Sequence, residues 1–498
     1  MKTRMLSLLV LLLAVVACRQ PSVPSEYADT TALPPIYPDY TGGITIPVNI
    51  APLTFQLIEE ADRMVTRFSC GQYELTVEGL QAKPDLEAWR ELARQAAGNG
   101  IQAEIFVERG GAWTRFRPFT IHVSKDPIDP YISYRLIPPS YVSYEEITIN
   151  QRCLEDYEES VIYDNRLCSE PQQGQCINCH HYQQYNPARM QFHARQMHGG
   201  TLISIDGQTR KVSMAGDSIL SAGVYPAWHP SLNLIAYSTN KTLQSFHTRD
   251  LNKIEVLDAA SDLILYDIDG NTVSHIENDP HEFETFPCWA PDGKTLYYCS
   301  AHFEYAGDTI SIPETITRAK DIKYNIYRKT FNPDTKKFDN RELVYDAAAQ
   351  GRSATLPRLS PDGRWLMFTQ GEWGCFHIWH RDADLWVIDL QTMEARPLTA
   401  CNSTNVESYH AWSANGRWII FSSRRNDGVY TRPFIAHIDA DGNASKPFEL
   451  PTANPDHHLQ LMKSYNIPEF MRGPVTLSPQ QIADILKTPA TPATFRNN

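Results

Sequence analysis

Cys176-Ile177-Asn178-Cys179-His180 places two thiols three residues apart, with an imidazole directly after the second. Thiols at this spacing can close a redox disulfide or supply half of a zinc site. They can also add across the two vinyl groups of one porphyrin while the next imidazole meets the iron. A redox pair is expected beside a βαβ pattern, which is absent here, and zinc would need a second C-x-x-C, which the chain lacks. Covalent haem c with His180 as proximal ligand is therefore the leading expectation. Asn186-Pro187 reads as a helix start and Gly199 as its stop. A helix between them would carry Met190, His193 and Met197 on one face. His193 is the first candidate for the distal ligand, with Met190, Met197 and His198 behind it. The same stripe also reads as plain core, and His181 reads as a surface residue.

The segment Cys168–Gly200 is too short to build its own core, so it must pack on a neighbour. The residues before it, 44–150, alternate like short strands and contain one amphipathic helix near Asp85–Ala97. A small β-sandwich-like domain is expected there, without catalytic residues. After it, four segments repeat one plan: Tyr225-Pro226-Ala227-Trp228, Phe286-Pro287-Cys288-Trp289 with Pro291-Asp292-Gly293, Leu356-Pro357-Arg358-Leu359 with Pro361-Asp362-Gly363, and Tyr409-His410-Ala411-Trp412 with Asn415-Gly416. Each leads through a turn into an apolar strand, and no such unit can bury its own face alone.

These repeats resemble the blades of TolB-type β-propellers over roughly residues 200–470. The resemblance implies a mainly β chain whose propeller has about five blades, six being the alternative count. Thr201–Val212 reads as two outer strands lacking an inner partner, which the C-terminal part would supply. The five residues 176–180 resemble the attachment site of c-type cytochromes. At the start, Lys2 and Arg4, the greasy run Leu8–Val16 and Ala17-Cys18 resemble a bacterial lipoprotein signal. That resemblance implies lipidation at Cys18 and a cell-envelope location on the extracytoplasmic side, where haem attachment and disulfides are both possible. The expected order is signal peptide 1–18, linker 19–43, β-sandwich-like domain 44–150, haem-attachment segment 151–200, propeller 201–470 and tail 471–498.

Composition bounds the function. A net charge of −13 argues against nucleic acid as a partner. No His-Glu-x-x-His, Gly-x-Ser-x-Gly or phosphate-cradling loop is present, so no catalytic residue is assigned. Cys153 and Cys168 bracket an acidic stretch and could be bridged; Cys70, Cys288, Cys299, Cys375 and Cys401 read as buried thiols. His229, His377, His380 and His410 lie near the repeat turns and read as packing before a second metal site. The leading function is electron transfer or redox sensing, with the membrane as one partner through the anchor and an unknown redox or envelope protein as another. The alternatives are a haem-free envelope binding or scaffold lipoprotein, and a haem enzyme with an open site.

Overall fold

The computed structural model describes residues 21–138, 144–170, 173–247, 249, 252, 254–307 and 311–497. Cys18 and the expected signal lie outside the described residues. The chain divides into two compact units, the first formed mainly by residues up to 44 and 51–125, the second by 126–450 and 458–498.

In the first unit, β1 (Ala28–Asp29), β2 (Arg63–Cys70), β3 (Tyr73–Glu78), β4 (Gly100–Arg109), β5 (Ala112–Arg115) and β6 (Phe119–Ser124) belong to one sheet centred on β4. Helix α1 (Leu86–Ala96) covers it, burying Trp89, Leu92, Ala93 and Ala96. Asp85 caps the helix, its carboxylate accepting from the Glu87 and Ala88 amides at 3.1 and 3.0 Å. Beside this sheet and its helix stands a second, smaller sheet of three short strands. Its strands are Ile36–Tyr37, Phe55–Leu57 and Gln81–Ala82, and Phe68 of the large sheet meets both Phe55 and Trp89, at ring distances of 6.1 and 5.6 Å. Residues 28–43 are not a loose tether either. They contribute β1, and Tyr40 is fully buried.

The strands of the second unit group, among the described residues, into four-stranded antiparallel sets, called sheets A to F, of which B and C are joined by one parallel pairing, Ser261 with Phe283. Sheet A is β10 (Gln175–Tyr182), β11 (Arg189–Gln196), β12 (Gly200–Ile205) and β13 (Gln208–Ser213). Sheet B is β14 (Val224–Trp228), β15 (Leu234–Phe246), β16 (Ile254–Asp267) and β17 (Thr272–Glu277). Sheet C is β18 (Glu282–Trp289), β19 (Thr295–His302), β20 (Asn325–Asn332) and β21 (Glu342–Tyr345). Sheet D is β22 (Ser353–Leu359), β23 (Trp365–Gly371), β24 (Asp384–Asp389) and β25 (Glu394–Pro397). Sheet E is β26 (Glu407–Trp412), β27 (Trp418–Ser423), β28 (Arg432–His437) and β29 (Phe448–Glu449). Sheet F takes its leading strand, β30 (Ser464–Met471), from the C-terminal part. Its others, β7 (Tyr131–Ile137), β8 (Thr148–Cys153) and β9 (Glu159–Asp164), precede sheet A.

The leading strands β10, β14, β18, β22, β26 and β30 neighbour one another in that order, and β30 returns to β10. The arrangement is propeller-like. Apolar clusters fill the spaces between successive sheets, as where Phe286, Cys299 and Ile326 of sheet C meet Leu356, Leu366 and Phe368 of sheet D. The repeat turns also stack: Gly363 and Gly416, at φ of 73° and 67°, each lie against the turn proline of the preceding sheet, Pro291 and Pro361.

Several expectations are corrected here. The helix over 187–199 is a strand. Met190, Phe192 and Ala194 alternate onto the core between sheets F and A, so a period of two replaces the period seen in Met190, His193 and Met197. Asn186 starts a turn, its side chain accepting from the Ala188 amide at 3.0 Å. Residues 151–200 are not a separate helical segment but parts of sheets F and A. The outer strands 201–212 gain their inner partners from just upstream, while the C-terminal strand completes sheet F. The tail forms α2 (Pro479–Lys487) and two edge strands, β31 (Thr491–Pro492) and β32 (Thr494–Phe495), along β13 and β17. Cys153 and Cys168 are both free and buried.

Candidate functional site: a cavity bearing two thiols

Each leading strand carries one residue in the left-handed region: Cys179, Tyr225, Phe286, Leu356, Tyr409 and Ile467, with φ between 47° and 56°. At each, the pairing register slips, as between Asn178 and His181 in sheet A. This is a β-bulge, which inserts a residue and re-aims the side chains after it. Cys179-His180-His181-Tyr182 and Ile467-Pro468-Glu469-Phe470 therefore occupy the same place as the four tetrapeptides legible in the sequence. The signal that could have found them is the pattern itself: a bulge residue, Pro or His, any residue, then an aromatic or Leu.

In a regular strand, residues three apart face opposite sides. The bulge cancels that, and Cys176 and Cys179 line the same cavity of ≈570 Å³. Its walls include the early halves of β10, β14, β26 and β30, the β15–β16 hairpin and residues Phe376, Ile378 and Trp379. Tyr225, Tyr409 and Ile467, three of the bulge residues, line it as well. The hairpin is latched by His380, whose Nε2 lies 3.1 Å from both Glu255 carboxylate oxygens. It is latched again by Asp258, which accepts from Asn240 Nδ2 at 3.0 Å and Tyr324 Oη at 3.2 Å. Burial lifts the Asp258 carboxyl to about 6.

The lining carries Arg135 and Arg195 and no carboxylate. Arg135 is held by the Ile177 carbonyl at 3.2 Å, by Asn178 Oδ1, and by Asn466 Oδ1 at 2.5 Å. In an acidic chain this cavity is cationic, apolar and aromatic. Asn178 Nδ2 donates to Cys176 Sγ at 3.3 Å, and burial pushes the Cys179 thiol up, keeping it protonated.

The predicted ligands separate. His193 lines the cavity with the two thiols, and its Nδ1 lies 3.1 Å from Thr201 Oγ1. Burial holds its imidazole neutral, down to about 3. Met190 faces the opposite side, inside the core with Ile177 and Phe192. Met197 and His198 are half-buried and are not lining residues; their carbonyls accept from Gln175 Nε2 and Lys211 Nζ. His180 is 3% exposed, and neither ring nitrogen has a hydrogen-bond partner. Burial brings it down to about 4, only partly opposed by Glu469 and the Ile467 backbone. It is not among the lining residues. His181 is no free surface residue, because its Nδ1 lies 3.0 Å from Glu469 Oε1. The other singled-out histidines pack: His229 against the Gly293 carbonyl at 2.8 Å, His377 against Thr355 Oγ1 at 2.9 Å, His410 against the Met367 carbonyl at 3.2 Å. Among the described residues no group of three or more metal-ligating side chains gathers.

The side chains that face the cavity include groups that a covalently held porphyrin uses, but His180, the expected proximal ligand, is not among them. Two thiols and one imidazole share a partly open, aromatic-lined space of the size small ligands occupy, and two arginines could match carboxylates on such a group. The orphaned nitrogens of His180 are an unfilled coordination capacity one residue away.

No family model matches the chain, and no curated protein matches it. Among solved structures it is similar to prolyl oligopeptidase B from Galerina marginata, at 9% identity and a TM-score of 0.36, covering 70% of this chain and 42% of that one. It is also similar to the Synechocystis apocarotenoid oxygenase, at 10% identity and 0.37, covering 86% and 98%. A Niastella koreensis GH74 enzyme follows at 13% and 0.33, covering 58% and 38%. Likeness at this level says nothing of substrate or reaction.

Proposed function

We propose that this protein is a lipid-anchored, extracytoplasmic haem c protein that transfers or senses single electrons, built on a closed propeller of six blades. The observation that carries the reading is the shared cavity: the bulge at Cys179 turns both thiols of the C-x-x-C-H toward one cationic, aromatic space that also holds His193. When bound, the haem would supply a one-electron iron couple. Cys176 and Cys179 would hold it by thioether bonds, each S–H adding across a vinyl C=C without any oxidant. Arg135 and Arg195 would balance its propionates, and the β15–β16 hairpin would exclude water. His180 is buried and held neutral near pH 7, the protonation state in which an imidazole can bind iron. His193 is the distal candidate that the cavity favours. The rigid ring would present its loops to a membrane-associated redox partner, and lipid on Cys18 would keep it at the envelope.

A second reading rests on its own observation. Cys179-His180 sits where Tyr409-His410 and the four bulge-proline pairs sit, so blade architecture alone accounts for the dipeptide. On that reading the protein is a haem-free envelope binding module. Intact mass spectrometry after export in a host that matures c-type cytochromes separates the two. The haem reading requires one added porphyrin mass that survives acid-acetone extraction and vanishes in Cys176→Ala/Cys179→Ala. Absence of that mass from the wild-type chain leaves the binding module.

A further inference from the structure

The bulges that aim the thiols into one mouth of the ring aim the third tetrapeptide residue into the other. His181, Ala227, Cys288, Arg358, Ala411 and Glu469 together line a second pocket of ≈150 Å³ whose remaining walls are largely proline and tryptophan. This is smaller than a drug-sized site, so it suits a small ligand. Three of the six axial residues are Ala or Cys, which keeps the axis open. The other three carry all the charge in the pocket.

Glu469 Oε1 accepts from His181 Nδ1 at 3.0 Å. Burial would raise its carboxyl, but the His181 contact first, with Arg358, holds it below its ordinary value. The Arg358 guanidinium donates from Nη1 to the Pro357 carbonyl at 2.9 Å. Among the described residues no ion pair joins Arg358 to Glu469, so opposite charges line one apolar pocket without meeting. Opposite charges held apart at low polarity are matched by a ligand that carries both.

We propose that this mouth binds a free α-amino acid, its ammonium on Glu469 and its carboxylate on Arg358, with the side chain against the tryptophan and proline wall. The pocket shares no lining residue with the thiol cavity. The test is calorimetric titration of the full-length protein with the twenty free amino acids, followed by amide and N-acetyl derivatives of the best binder. At least one amino acid should bind with Kd below about 10 mM, and blocking either charged end should weaken it at least about tenfold. Arg358→Met and Glu469→Gln should weaken it similarly. Ala411→Leu, which fills the axis without touching a charge, should abolish binding while leaving the thermal melt in place. No binding across the panel, or blocked forms that bind as well as the free amino acid, overturns the proposal.

Discussion

Cys179 does two jobs at once, and they can be separated by substitution. A non-glycine residue in the left-handed region costs about 1–2 kcal/mol, and a β-branched one costs more. Cys179→Gly should keep the melting temperature within a few degrees, whereas Cys179→Val should lower it clearly. Both variants should lose one thioether if haem is attached, which absorption spectra of acid-acetone-extracted protein would report. Glu284 offers a cleaner electrostatic test. It is fully buried, neither carboxylate oxygen has a partner, and Asp262, Glu277 and Glu282 stand nearby. Burial first, then those charges, push its carboxyl up to about 9. The unfolded chain releases this proton near 4.5, so the stability it contributes is complete below that pH and is lost as pH rises toward 9. Glu284→Gln should therefore melt higher than wild type at pH 8, with the gap closing toward pH 5. The C-x-x-C-H spacing was legible in the sequence because it is local. The His181–Glu469 pair, 288 residues apart, was not.

Strand β11 shows how one element can carry two readings. Met190, His193 and Met197 fit a helical stripe, but the apolar alternation Met190, Phe192, Ala194 buries better in sheet A, and packing overrides local pattern. The tail 471–498 was assigned no element from the sequence, and α2 within it starts with a capping box between Ser478 and Gln481. It seals the core between sheets F and A with Ile482, Ala483 and Leu486. The Leu486 carbonyl also accepts from Lys211 Nζ at 2.6 Å. Leu486→Ala should cost about 2–4 kcal/mol, read as a lower urea midpoint with an unchanged m value.

At the scale of the whole chain, sheets B to E were legible from their recurring tetrapeptides and turns, sheet A only by its outer strands at 201–212, and sheet F was not. Sheet F escaped because its leading strand lies more than three hundred residues from its neighbour: Ile132 pairs with Phe470, and Arg135 bonds Asn466 across 331 positions. Sheet A escaped because its bulge residues, Cys179 and His180, carry chemistry that suggested another reason for being there. Non-local closure makes β30 decisive. Truncation after Lys463 would strip β7 of its partner and expose the faces that Tyr465, Phe470 and Met471 cover. That chain should aggregate on size-exclusion chromatography and be cleaved rapidly within 126–213, whereas truncation after Arg472 should stay folded but less stable.

Composition, the thiol spacing and the recurring turns determined by themselves that the chain is mainly β, built of repeats, and equipped with a candidate attachment motif. Those are properties of short stretches, set by local sterics and by the need of each stretch to bury an apolar face. Which side of a strand the two thiols occupy, which histidine joins them and which charges meet at the far mouth were decided by the tertiary structure alone. Each depends on a one-residue bulge and on strands brought together from distant parts of the chain, and spacing along the sequence does not encode distance across a ring.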